Sequence, residues 1–279
     1  MSFVVARALG LVTVQDLGRP GWMHEAVPPG GALVRDRLIA ANRAVANPDG
    51  APAIEVLGEL VIRAERALEV ATDTAAARTL AAGDELIVAS EPRRVAYLAI
   101  RGGIAAPLMF GGHSALLCAG LGGLIRAGQR FDSAALAPVA PPRASTASPS
   151  SPRAQRSADP SIRLPAEPPI QLIDGPDPES FTPEALSVLL SSEYRILPSS
   201  NRVGTRLDGP ALPRTGAPEV SRPMVIGAIE VPRDGKPIVL GPEHPTTGGY
   251  PIIAVVASGD LGRLFSVRLG GSVRFRRAT

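Results

Sequence analysis

Short apolar runs separated by glycine, proline and aspartate recur along the chain, and this spacing predicts strands far more often than helices. Phe3 to Ala8 and Leu11 to Gln15 read as two strands parted at Gly10. From Val34 to Ala46 the period changes. Val34, Leu38, Ala41 and Val45 recur at helical spacing, with Arg35, Asp36 and Arg43 elsewhere, which predicts an amphipathic helix stopped at Asn47-Pro48. Runs at Ile54 to Leu57, Leu60 to Ile62, Leu68 to Ala71, Glu85 to Val88 and Val95 to Ile100 then imply a compact antiparallel sheet or barrel. Glycines crowd the stretch from Gly102 to Gly123 too densely for strands alone, so it reads as loop over the mouth of that sheet.

Residues 136–168 are rich in proline, alanine and serine and hold too little apolar surface to fold. They read as a disordered linker dividing the chain into domains at 1–135 and 169–279. The second half opens with a strand at Ile170 to Ile173. A helix follows from Thr182-Pro183-Glu184 to about Leu190, with Thr182 as its cap. Tyr194 to Leu197 and Gly204 to Leu207 are strands around a loop carrying Arg202. Ala228 to Val231 and Pro237 to Leu240 form a hairpin around Asp234-Gly235, whose glycine supplies positive φ. Thr246 to Tyr250 is a glycine loop offering two hydroxyls and accessible backbone N–H groups. A strand at Ile252 to Val256, a short helix at Asp260 to Phe265 and a strand at Ser272 to Phe275 close the chain.

Composition supports the β-rich reading, since aromatics are only 4% while glycine and proline number 29 each. The net charge of +3 comes without a Lys/Arg run interleaved with aromatics, so no nucleic-acid partner is expected. Arg274, Arg276 and Arg277 read as a solvated strand edge. Trp22 reads as an anchor, in the core or where subunits meet. The single cysteine, Cys118, excludes an internal disulfide, suits a reducing cytoplasm, and reads as buried within Leu116-Leu117-Cys118-Ala119. No charged-then-apolar leader and no apolar run of about 20 residues is present, so neither secretion nor a membrane association is expected.

Three scattered histidines give no metal-ligand spacing, and no metal is expected. The promising chemistry is polar and cationic. Arg202 and Arg206 can grip a carboxylate or carbamate, Glu230 can act as a base, and the Thr246 to Gly249 backbone can stabilise an oxyanion. Alternatively, Arg202 and Arg206 pair with Asp208, Glu193 or Glu219 and hold their loop. Gln15, Asp16 and Arg19 form a similar cluster in the first half, where Asp16 can equally cap a turn.

The chain also carries a collinear series of motifs. These are Thr13-Val14-Gln15-Asp16-Leu17-Gly18-Arg19, Pro28-Pro29-Gly30-Gly31-Ala32, Asn42 with Asn47, Glu55 in its strand, Tyr97 to Ile104, Ser200 to Gly209, and Gly227 to Tyr250. The series resembles the biotin-dependent carboxyltransferase family, which includes the C-type subunit of 5-oxoprolinase, allophanate hydrolase subunit 2 and the carboxyltransferase part of urea amidolyase. The resemblance implies a β-rich (α+β) fold of two cyclophilin-like β-barrels with a cleft between them. It implies a subunit that opens 5-oxoproline or a related cyclic amide using ATP, or one that transfers a carboxyl group to a urea-like amide. ATP would sit on this chain or a partner, because no P-loop pattern is present. Carboxybiotin would need a separate carrier. Implied partners are a subunit-B-like protein of the allophanate hydrolase subunit 1 type, optionally an A-type subunit of the same complex, and a small acidic amide. Catalytic roles would fall to Arg202, Glu230 and Thr247, and substrate contacts to Gln15, Asp16, Arg19, Arg206, Thr246, Gly248, Gly249 and Tyr250. The chain departs from the family's pattern at Val34, Gly112, Leu116, Glu230, Pro245 and Ser266, where an aspartate, glutamine or hydroxyl is usual. Those departures favour the alternative of a regulatory binding partner, similar to the antagonist of the sporulation kinase inhibitor.

Overall fold

The computed structural model describes residues 2–135 and 168–278. The linker expected at 136–168 falls, but for Pro168, outside the described residues. Strands β1 (Ser2–Gln15), β2 (Ala53–Ala64), β3 (Leu68–Thr72), β4 (Ala75–Leu80), β5 (Glu85–Ala89), β6 (Ala96–Ile100) and β7 (Arg130–Asp132) build a seven-stranded sheet. It is ordered β4-β3-β6-β2-β1-β7, with β5 also on β2.

The break expected at Gly10 is absent, and so is a second at Gly58. β1 and β2 each run unbroken, and Gly10 pairs with Gly58 across the ladder, both at positive φ (81° and 139°). A Cβ on either would strike the opposite strand's backbone, so matched glycines let the ribbon bend while its pairing continues. Beyond the bend β2 changes partner. Ile54, Glu55 and Val56 pair with β6, whereas Glu59 to Arg63 pair with β5. β4 escapes sequence reading because Ala-Ala-Ala-Arg-Thr-Leu offers almost no β-branched or aromatic residue.

The second half supplies β8 (Ile170–Asp174), β9 (Glu193–Ile196), β10 (Gly204–Asp208), β11 (Arg222–Pro223), β12 (Ala228–Glu230), β13 (Ile238–Leu240), β14 (Thr247–Gly248), β15 (Ile252–Val256) and β16 (Ser272–Arg277). Seven of them close into a barrel, β10-β13-β12-β15-β8-β16-β9, while β11 and β14 pair as a separate flap. The hairpin turn forms as expected, with Gly235 at φ 74° and the Lys236 N–H donating to Asp234 at 3.0 Å. Arg274, Arg276 and Arg277 are exposed as expected, Arg274 meeting Glu193 and Arg277 meeting Asp174. However, β16 is paired with both β8 and β9, so they lie on an exposed face of the closed barrel and not on a strand edge.

Helix α1 (Arg35–Ala44) lies between the halves, and α2 (Ala185–Ser191) and α3 (Leu261–Ser266) pack on the barrel side. Thr182 gives α2 no side-chain cap, and its carbonyl instead accepts the Ala185 N–H at 3.0 Å. Alternation on β6 directs the packing: Ala96, Leu98 and Ile100 join the sheet's own core with Phe3, Val12 and Ile54. Tyr97 and Ala99 face the other way, into one core with Leu38 and Ala41 of α1 and with Ile229, Val239 and Phe265 of the second half. Cys118 is exposed, contrary to expectation. Leu116 is the residue of that run which turns inward, and Cys118 rides a 3-10 turn, Leu117–Ala119, closed by Gly120 at φ 68°. Among the described residues no helix is long and apolar enough to cross a membrane.

Candidate functional site

Arg202 is the centre of the seam between the halves. Asn201 shapes its loop by accepting the Val203 and Gly204 N–H groups on its side-chain oxygen, at 2.9 and 3.1 Å. Arg202 is thereby projected into the first half, where it is only 2% exposed. Its Nη1 pairs with Glu55, its Nε donates to Glu243 at 2.6 Å, and its Nη2 donates to the Gly31 carbonyl at 2.6 Å. Burial alone would lower its pKa, but the two glutamates outweigh that and hold it above the ordinary value. Neither Asp208, Glu193 nor Glu219 is its partner: these meet Lys236, Arg274 and Arg214.

Glu55 and Tyr97 face each other across β2 and β6. The Tyr97 hydroxyl donates to Glu55 at 2.7 Å and accepts the Val34 N–H at 2.8 Å, while the Leu33 N–H donates to Glu55 at 2.7 Å. Burial, with Glu55 beside it, pushes the Tyr97 hydroxyl well up. Arg94 adds a second cross-seam contact, donating to Thr205 Oγ1 at 2.8 Å and to the Asn201 carbonyl at 3.1 Å.

Gln15, Asp16 and Arg19 gather beside this seam. Asp16 accepts the Ser114 hydroxyl, the Gly18 N–H at 2.7 Å and the His113 N–H at 2.6 Å. Gln15 Nε2 donates to the Ala115 carbonyl at 3.2 Å, and Arg19 donates to the carbonyls of Ser114 and Met109. The three side chains therefore clamp the glycine-rich loop onto the end of β1. Gln15 Oε1 and Arg19 Nη1 remain buried without partners. Burial lowers the Arg19 pKa, opposed by Asp16 and by Glu243. Because Glu243 acts on both Arg19 and Arg202, this cluster and the seam are electrostatically continuous.

The remaining expected site residues lie on the barrel. Arg206 and Glu230 both oppose Ile238, from β10 and β12, so they share one face of three adjacent strands. Burial raises the Glu230 pKa and Arg206 opposes the rise. Thr247 and Gly248 belong to the flap, where they pair with Pro223 and Arg222, and Arg222 is anchored to Asp177. Met224 seats the flap against Ala228, Leu240 and Ile252. Thr247 and Tyr250 are exposed, and Thr246 and Gly249 half-buried. His244 is buried, its Nδ1 2.7 Å from the Pro245 carbonyl, and burial lowers its pKa.

The structure thus divides the expected site into a seam cluster and a flap face. Sequence reading did not assign Glu243, Tyr97, Arg94 or Ser114 a part in it, and took Glu55 only as part of a strand motif. The available signal was a charge or hydroxyl within an otherwise apolar strand, as in Ala-Ile-Glu-Val and Ala-Tyr-Leu-Ala-Ile.

Comparison with known proteins gives a consistent picture. The family model described as carboxyltransferase domain, subdomain A and B, matches residues 25–277. The C subunit of the 5-oxoprolinase of Escherichia coli (strain K12) is 31% identical, over 97% of this chain and 89% of that protein. The urea amidolyase of Lachancea kluyveri is 28% identical over 98% of this chain but only 17% of its own length. The crystal structure of TTHA0988 superposes with a TM-score of 0.81 at 28% identity, covering 99% of this chain and 55% of that one, so this chain spans about half of it. With a match running through both the sheet and the barrel, the chain belongs to the family of carboxyltransferase domains with subdomains A and B.

Proposed function

We propose that this chain is the C-type subunit of a 5-oxoprolinase-type complex, which opens 5-oxoproline or a related cyclic amide at the expense of ATP. The observation that carries the reading is the similarity to the C subunit of a 5-oxoprolinase over nearly the full length of both proteins. ATP and the remaining chemistry would be shared with a subunit-B-like partner and an A-type subunit in a cytoplasmic assembly. On this reading Glu230 is the proton acceptor, since burial raises its pKa above the ordinary carboxylate value and makes it a stronger base. Arg206 and the N–H groups around Thr246 to Gly249 grip the substrate carboxylate and carbonyl. Arg202 acts as a positioning residue, because its donors are engaged by Glu55, Glu243 and Gly31.

The test is ATP-dependent formation of glutamate from 5-oxoproline by this chain combined with its A-type and B-type partners, against the same mixture without it. Dependence on the chain is the expected result, and Glu230→Gln should abolish it with the complex intact. Equal activity without the chain would overturn the proposal. The occupied donors of Arg202 favour a second reading, a regulatory partner of a subunit-B-like protein. It predicts a stable complex without turnover. Carboxyl transfer to a urea-like amide is the version of this chemistry that the urea amidolyases suggest, and it requires a biotinylated carrier in the assay.

A further inference from the structure

A cavity of about 610 Å³ opens on the seam beside the Gly10–Gly58 bend. Its walls include Leu9, Leu57 and Leu269, of which Leu9 is 54% and Leu269 41% exposed. Three arginines line it: Arg93 and Arg268, both exposed, and Arg94, buried. Two carboxylates share the lining, but Glu59 is held by Arg7 at 2.5 Å, leaving Glu91 alone against three cations.

These arginines are poorly neutralised. Among the described residues neither Arg94 nor Arg268 has a carboxylate within salt-bridge distance. Arg93 has only Asp73, at 4.0 Å, and Asp73 is already paired with Arg37. Arg94 is 4% exposed, and its side-chain hydrogen bonds go to the neutral oxygens of Thr205 and Asn201. Its Nε is buried with no partner at all. A buried cation bonded only to neutral groups is destabilised by lost solvation, and burial accordingly lowers the Arg94 pKa to about 10.

We propose that this cavity binds a small organic anion, a single carboxylate on an apolar body, with the carboxylate facing Arg93, Arg94 and Arg268 and the apolar part against Leu9, Leu57 and Leu269. The volume is of the size that encloses a small ligand, about 300–1,000 Å³. An apolar body is required because the leucines offer no hydrogen bonds, and a bare anion would leave them in water. Arg94 is bonded to Asn201 in the Arg202 loop and to Thr205 in the strand that follows, so occupancy would also brace the seam. Ligand bound only by the folded state raises the unfolding temperature. The inference does not depend on the 5-oxoprolinase reading.

Octanoate, its neutral counterpart octanamide, and inorganic phosphate are suitable probes, titrated calorimetrically into the whole chain and followed in parallel by thermal unfolding. Octanoate should bind saturably at one site and raise Tm, with octanamide at least tenfold weaker and phosphate unable to displace it. Arg93→Ala combined with Arg268→Ala should weaken octanoate at least tenfold while leaving the unliganded Tm unchanged, since both side chains are exposed. Leu269→Ser should weaken it separately. Absence of saturable binding at millimolar octanoate, equal binding of octanamide, displacement by phosphate, or undiminished affinity in the double variant would each overturn the proposal.

Discussion

Replacing Arg202 with alanine would leave Glu55 and Glu243 buried without their cation, and breaking a buried pair by removing one partner costs about 3–5 kcal/mol. Arg206 is exposed and meets no carboxylate among the described residues, so Arg206→Ala should change stability by no more than about 0.5 kcal/mol. Urea midpoints of the two variants, compared at equal m-value, separate a seam-holding arginine from a surface one. Glu230 makes a different prediction, through pH. Its folded pKa lies above the ordinary 4.5, so the folded state binds this proton more tightly than the unfolded chain does. The stabilisation is complete below that ordinary value and is lost as pH rises through the raised folded one. Glu230→Gln cannot ionise, so its stability relative to wild type should increase across that window, as read from chemical unfolding at a series of pH values. A stability difference independent of pH would contradict the burial of the Glu230 carboxyl. Both residues were legible in the sequence as candidates, but their separation was not. Arg202 and Arg206 sit four apart in the chain, yet loop and strand geometry directs one into the seam and the other outward. The partners of Arg202 could not be read at all, because Glu55 lies 147 positions away across the two halves.

At the level of elements, the β1–β2 ribbon shows where sequence punctuation misleads. Gly10 and Gly58 each look like a strand end, because an isolated glycine weakens a strand. Paired across the ladder, they become the one place where the ribbon can bend, and β2 changes partner from β6 to β5 beyond it. Gly58→Ala would force a Cβ against the Leu9 carbonyl at a φ of 139° that L-residues rarely adopt. It should therefore cost more than the roughly 1 kcal/mol typical of a tolerated glycine change, measured as a lowered urea midpoint. An exposed glycine with open space, Gly259, provides the control and should tolerate alanine. Most other strands were legible from β-branched runs between turn residues, as was α1 from its helical period. β4 was not, because three alanines carry no strand signal and only its pairing with β3 makes it one. The flap was legible as chemistry but not as structure. Two-residue strands are fixed by partners, here Arg222 and Pro223, rather than by their own composition.

For the whole molecule, the decisive feature is that the sheet, besides the core on its own face, shares a second core with the barrel. Tyr97 and Ala99 of the sheet, Leu38 and Ala41 of α1, and Ile229, Val239 and Phe265 from the second half form a single buried cluster. Above it, Arg202 and Arg94 reach across the seam with their hydrogen bonds. Separate cores joined by weak polar contacts would let the two halves unfold independently. A shared apolar core ties the fate of one half to that of the other, since opening the seam would expose Leu38, Tyr97 and Phe265 together and part Glu55 from Arg202. The chain should consequently unfold in one transition despite its 279 residues. Trp22, the only tryptophan, reports on the first half by fluorescence, while far-UV circular dichroism reports on strands of both. The two curves should coincide, and the calorimetric and van't Hoff enthalpies should agree. Arg202→Ala tests the cause, because weakening the seam alone should pull the two probes apart before it unfolds either half. Coincident curves in that variant, at an unchanged midpoint, would mean that the apolar core couples the halves without help from the buried ion pairs.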